Sequence, residues 1–211
     1  MSASLLLVAA LACPAATEPP KIEIELIRNE PAIRRDLNVL QLSRKKAGVG
    51  APTLVPRRTV GLTEGRIRVE PRIFTETLTS AGDACLRPTS VHIEMRVENT
   101  IYVAREFTDR PCHTEQILRH EREHVAIDRR LAEASVDEYR VAAEAALAQI
   151  GVVGPVPSRN LAASVERMRS TINFALQVVT KRLFERREAA QNAFDTPEEY
   201  ARVAAACGRK L

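Results

Sequence analysis

The chain has no tryptophan, and aromatic residues make up only 4% of its 211 positions. Its core must therefore rest on Leu, Ile, Val and Ala. Glycine is also scarce, at eight residues, and an Ala- and Arg-rich, Gly-poor composition leans helical. There is no internal repeat and no low-complexity segment, and the length suits one domain with a proper core. The apolar run Leu5 to Ala12 is too short to cross a bilayer as a helix. Aromatic side chains are not interleaved with the basic ones, which argues against nucleic acid as a partner. What is present is ordinary for a soluble globular protein, with 45% hydrophobic and 27% charged residues and a net charge of +4.

The apolar run ends in Ala10-Leu11-Ala12, the small-x-small pattern of a signal-peptide cleavage site. We expect a signal peptide over 1–12, a linker over 13–20 and a single domain over 21–211. Ala10-Leu11-Ala12-Cys13 also resembles a degenerate lipoprotein box, with Ala10 where Leu is usual. The expected location is therefore the periplasm, or the outer membrane as a lipoprotein. In an oxidising compartment Cys85, Cys112 and Cys207 favour pairing. Cys85 and Cys112 flank an expected hairpin and are the favoured pair, with Cys207 a competitor for either.

Alternation of charged and apolar residues from Lys21 to Arg28 predicts a strand, and Ile33, Leu37 and Leu40 predict a short helix starting at Pro31. Short strands are expected at 66–69 and 73–78, and a hairpin over 90–107 turning at Glu98-Asn99. From His113 to Ile150 there is no Gly or Pro, and Ile117, His120, His124, Ile127 and Leu131 share one helical face. The turn Gly151 to Pro157 leads to a second helix from Ser158 to about Asn192, and Thr196-Pro197-Glu198-Glu199 is a capping box opening a short third one. The expected fold is α+β and zincin-like: a small antiparallel sheet in a β-rich half (21–110), packed on a long antiparallel helical hairpin in a helical half (113–208).

Within the first helix stands H-E-x-x-H: His120, Glu121 and His124. Histidines at i and i+4 lie one turn apart, so both imidazoles can reach one ion. They are the candidate metal ligands, the expected ion is Zn2+, and Glu121 is the candidate general base toward a water on that ion. The chain has four histidines, and three of them (His113, His120, His124) fall within twelve residues. The pair lies on the apolar stripe, and buried imidazoles need partners.

A catalytic zinc takes three protein ligands and keeps a position for water. Asp128 stands four residues beyond His124, but eight residues of helix rise about 12 Å, too far for one ion to be reached from both ends. Ile127 and Arg130 occupy the positions of a glycine turn with a third histidine, which excludes the metzincin pattern. If Gln149 and Ser158 are level across the turn, 120–124 faces about 183–187, so Glu185 is expected ahead of Asp128 as third ligand. Thr100 to Phe107 is placed to hold an extended peptide by strand addition.

The run Ile101-Tyr-Val-Ala-Arg-Glu-Phe107, then Cys112, then Ile117-Leu-x-His-Glu-x-x-His124-Val resembles a bacterial family of secreted zinc-dependent proteases. The likeness covers roughly 90–135, with Gly61-Leu62-Thr63 before it. It implies a zinc peptidase acting on a peptide or protein substrate. A glutamate from the second helix would follow the outline of the gluzincins, although their E-x-x-x-D is missing, since Ala189 stands four residues after Glu185.

The competing reading is a non-catalytic envelope-binding or scaffold protein. Residues 34–58 carry seven Lys/Arg against one acid, and 158–190 carry seven against three. Such surfaces suit peripheral or lipid-anchored association with an anionic membrane.

Overall fold

A computed structural model describes residues 13–15, 18–47, 58–80 and 82–208. The expected signal peptide, 1–12, lies outside the described residues. In chain order the elements are β1 (Lys21–Arg28), β2 (Ala32–Arg34), α1 (Val39–Ala47), β3 (Gly61–Ser80), β4 (Asp83–Val103), α2 (Pro111–Ala134), α3 (Val136–Ile150), β5 (Val153–Pro157), α4 (Leu161–Phe194) and α5 (Pro197–Ala205). Short 3₁₀ turns cover Arg105–Phe107 and Ser158–Asn160.

The fold is α+β, but the expected small antiparallel sheet on a helical hairpin is overturned. All five strands join one sheet, in which β4 pairs with β1, β2, β3 and β5. Its pairing with β2 is parallel, Ala32 facing Thr100 and Arg34 facing Tyr102, while β5 runs antiparallel to it. β3 and β4 are 20 and 21 residues long, where short strands and a separate 90–107 hairpin were expected. The chain turns at Gly82, whose φ of 87° suits a residue without a Cβ. It runs straight through Glu98-Asn99, because Asn99 continues the inward alternation of Val91, Ile93, Met95 and Val97 and is buried like them. Its side chain is kept there by a hydrogen bond from Nδ2 to Asp128 Oδ2, 2.8 Å.

The helical hairpin fails at Ser135, where the expected single helix is two. Ser135 Oγ donates to the carbonyl of Leu131, four residues back, at 2.7 Å, a contact that bends helices. The buried stripe runs through Asp128, Ala132, Ser135, Tyr139, Ala143 and Ala146, where Leu131, Ala134, Ala142 and Ala145 were expected. The turn expected at 151–157 contains β5, so it adds a strand to the sheet. The helix expected from Pro31 begins instead at Val39, with β2 before it. β1, the buried stripe of α4 (Met168, Ile172, Leu176, Val179, Leu183) and the capping box of α5 agree with the sequence reading, Thr196 Oγ1 accepting from Glu199 N at 3.2 Å.

By its contacts the chain divides into two compact units. One comprises 1–25, 70–93 and 137–179, and its buried side chains include Leu86, Val91, Tyr139, Met168 and Ile172. The other comprises 26–69, 94–136 and 180–211. Its core joins Leu42 of α1, Ile101 and Val103 of β4, Phe107, and Ile117, Leu118 and Val125 of α2.

The disulfides also differ from expectation. Cys13 pairs with Cys85 in the first unit, and Cys112 with Cys207 in the second. The favoured Cys85–Cys112 bond is therefore wrong, because it leaves Cys13 out as a lipid site. A sulfur already bonded to Cys85 has no thiol left for a lipid. No cysteine is free. Two disulfides fit an exported protein, and among the described residues no helix is long and apolar enough to cross a membrane.

Candidate metal centre

α2 carries the motif and lays it against the start of β3. Along that strand Gly61, Thr63 and Gly65 alternate with Leu62 and Glu64. A Cβ at Gly61 would stand 2.4 Å from Glu121 Oε1, and one at Gly65 only 2.0 Å from Asp128 Oδ2. The two glycines thus leave room for two acids on the same helix, and Thr63 between them lies 2.8 Å from Glu121 Oε2. His120 and His124 are 6% and 8% exposed.

The imidazoles meet through Nε2, 3.2 Å apart. Asp195 completes the group: its Oδ1 is 3.2 Å from His120 Nε2 and 3.1 Å from His124 Nε2. The far sides of both rings are occupied. His120 Nδ1 is 3.2 Å from Glu199 Oε1, and His124 Nδ1 meets Gln191 Oε1 in a very short contact. A carboxylate and an amide oxygen can only accept, so each Nδ1 carries a proton, and each ring, when neutral, presents its Nε2 lone pair to the group. Asp195 Oδ1 is buried, and while both rings are neutral it faces their Nε2 atoms without a donor.

Three acceptors therefore converge with nothing to share between them, an arrangement that needs protons or a cation at its centre. Ligands at 2.0–2.1 Å around a tetrahedral ion lie about 3.3 Å apart, close to the observed 3.1–3.2 Å. The donor set of two imidazoles and a carboxylate suits zinc, and ligating histidines typically give the other ring N–H to a carboxylate or carbonyl oxygen.

Electrostatics agree with that need. Burial alone would lower the pKa of both histidines, but Asp195 and Glu121 outweigh it, with Glu199 at His120 and Gln191 at His124, and both are raised. Burial opposes ionisation of Asp195 too, yet the two imidazoles hold its pKa far below the ordinary carboxylate range. Glu121 is raised, because burial outweighs the attraction of His124 and His120 and the hydrogen bond from Thr63.

Neither expected third ligand is here. Glu185 is exposed and lies 3.8 Å from Lys181. Asp128 is fully buried but accepts from Arg187, Asn99 and Gln191. The register across the helices puts Gln191 beside His124, where 183–187 was expected. Asp195 sits just past α4, before the capping box. A signal for it does exist: Asp195 and Glu199 form D-x-x-x-E, the reverse of the E-x-x-x-D sought around Glu185. Nor is Thr100 to Phe107 a free edge, because β2 pairs with its first part and Ile101, Val103 and Phe107 are buried.

Phe194 closes one side of the group, stacked on His120 at 4.8 Å and edge-on to His124 at 5.1 Å between centroids. Tyr200, 37% exposed, and Lys46 stand on the wetter side, Lys46 Nζ being 3.6 Å from Asp195 Oδ2. The chain matches no family model, no curated protein and no solved structure.

Proposed function

We propose that the protein is an exported zinc-dependent peptidase, with His120, His124 and Asp195 as ligands and Glu121 as general base. The observation that carries this reading is the triangle of bare acceptors, two imidazole Nε2 and one carboxylate Oδ1, whose Nδ1 protons are already engaged. Bound zinc supplies a Lewis acid that polarises water and a substrate carbonyl. Glu121 takes the proton of the attacking water and delivers it to the leaving amine. Burial raises its pKa in the metal-free protein, the direction in which a carboxylate becomes a stronger base. Gly61 and Thr63 hold the carboxylate in place, and Asp195, Glu199 and Gln191 orient the rings. Export, and with it a periplasmic location, is supported by the two disulfides.

The test is metal analysis combined with peptide hydrolysis. Wild type should bind one equivalent of zinc, His124→Ala should lose it, and Glu121→Gln should keep the metal while hydrolysis falls by at least about 10²-fold. A wild-type protein without stoichiometric zinc, or a Glu121→Gln variant of full activity, overturns the proposal. A second reading rests on the burial of both imidazoles under Phe194: a structural ion clasping the Asp195 turn to α2. Zinc retained with no hydrolysis by wild type would favour it.

A further inference from the structure

Gln191 is a neutral side chain between two sites that are otherwise charged, and its contacts fix which end of its amide points where. Its Nε2 is 2.8 Å from Asp128 Oδ1 and 3.1 Å from the carbonyl oxygen of His124. Both neighbours accept only, so both amide hydrogens are committed to that side. Oε1 must then face His124 Nδ1.

Asp128 cannot yield, because it has no exposed surface and is filled by donors. Arg187 Nε reaches its Oδ1 at 2.6 Å, Arg187 Nη2 its Oδ2 at 3.0 Å, and Asn99 Nδ2 the same Oδ2 at 2.8 Å. Arg187 Nη2 also lies 3.3 Å from the carbonyl of Gly65, where only the absence of a Cβ allows the approach. The chain of contacts therefore runs from a permanently charged guanidinium, through a carboxylate and an amide, to one ring nitrogen.

We infer that Gln191 is a positioning residue, locked by the Asp128–Arg187 pair, that imposes the Nδ1–H tautomer on His124 and so leaves Nε2 free to bind metal. The inference deepens the zinc reading above but concerns an arrangement already complete without the ion. A rotated amide would offer N–H to Nδ1, drive the ring proton to Nε2 and place it inside the ligand triangle. Outer partners of this kind typically change metal affinity by about 10–100-fold.

The test uses the full chain with both disulfides, labelled with ¹⁵N, and reads the ring nitrogens of His124 in zinc-free protein at alkaline pH. Wild type should show a protonated Nδ1 and a bare Nε2. Gln191→Leu should move His124 toward the Nε2–H tautomer and weaken zinc binding by about 10–100-fold. Gln191→Glu, ionised at that pH, keeps an acceptor toward Nδ1 without the donor to Asp128 and should hold His124 in the Nδ1–H tautomer. An Nε2–H tautomer in wild type, or a tautomer population unchanged in Gln191→Leu, overturns the inference. A wild type that binds no zinc but whose tautomer responds as described would remove the zinc reading and leave this one standing.

Discussion

Glu121 is placed by a glycine. Gly61 has an ordinary backbone conformation, so its requirement is space alone: a Cβ there would meet Glu121 Oε1 at 2.4 Å and Ile117 Cγ2 at 2.6 Å. Gly61→Ala should push the carboxylate off its seat while leaving both histidines and Asp195 in place. We expect zinc stoichiometry to be unchanged and hydrolysis to fall by about 10²-fold, the scale of a misplacement of about 1 Å; an alanine variant of normal activity would show that Glu121 does not depend on β3. The same residues give a pH dependence. The folded-state pKa values of His120, His124 and Glu121 all lie above their ordinary values in the metal-free protein. Each contributes stability that is complete below its unfolded pKa and is lost as pH rises through its folded pKa. Over the histidine range, metal-free protein should therefore melt at a higher temperature at about pH 6 than at about pH 8. Zinc displaces the same protons, so its affinity should run the other way and rise with pH. Thermal melts with and without zinc at both pH values check the pair of signs.

Among the elements, what could be read from the sequence was whatever repeats locally. The alternation of β1, the stripe of α4 and the Thr196–Glu199 cap are contacts between near neighbours in the chain, and these expectations agree with the structure. His120 and His124 belong to the same class, since one helical turn brings them together. Buried polar residues broke the reading. Asn99 looks like a turn residue because it interrupts an apolar alternation, yet its partner is Asp128, 29 positions away. Ser135 looks like any helix residue, but its hydroxyl bonds the Leu131 carbonyl of the preceding turn where α2 gives way to α3. The level of α4 against α2 is also set at long range, by Gln191 on the His124 carbonyl and Arg187 on Asp128, so Gln191 stands where Glu185 was expected. Asp195 escaped for a further reason. It lies beyond the helix, in a turn whose capping box accounts for its neighbours, so nothing local asks for a ligand. Its position is set at long range, by Glu199 on His120 and by Arg202, which holds Glu199 through Nε and Nη2 and also reaches Gln116 of α2 at 3.3 Å.

On the scale of the whole molecule, each compact unit holds one disulfide, and only one unit holds the metal group. Cys112 opens α2 eight residues before His120, and Cys207 follows α5, which carries Glu199. The bond closes a loop across 95 residues and contains both the motif and Asp195. Cys13–Cys85 spans 72 residues and encloses no ligand. On loop entropy the two bonds are nearly equal, each worth about 4–5 kcal/mol, so general destabilisation cannot distinguish them. Zinc binding can. Replacing Cys112 and Cys207 by serine should free the end of α5, loosen Glu199 on His120 and weaken zinc affinity by about 10-fold or more, as losing an outer partner does. Replacing Cys13 and Cys85 should lower the melting temperature comparably and leave zinc affinity unchanged. Equal losses of affinity in the two variants would mean that the metal group responds to overall stability and not to the anchoring of α5 on α2.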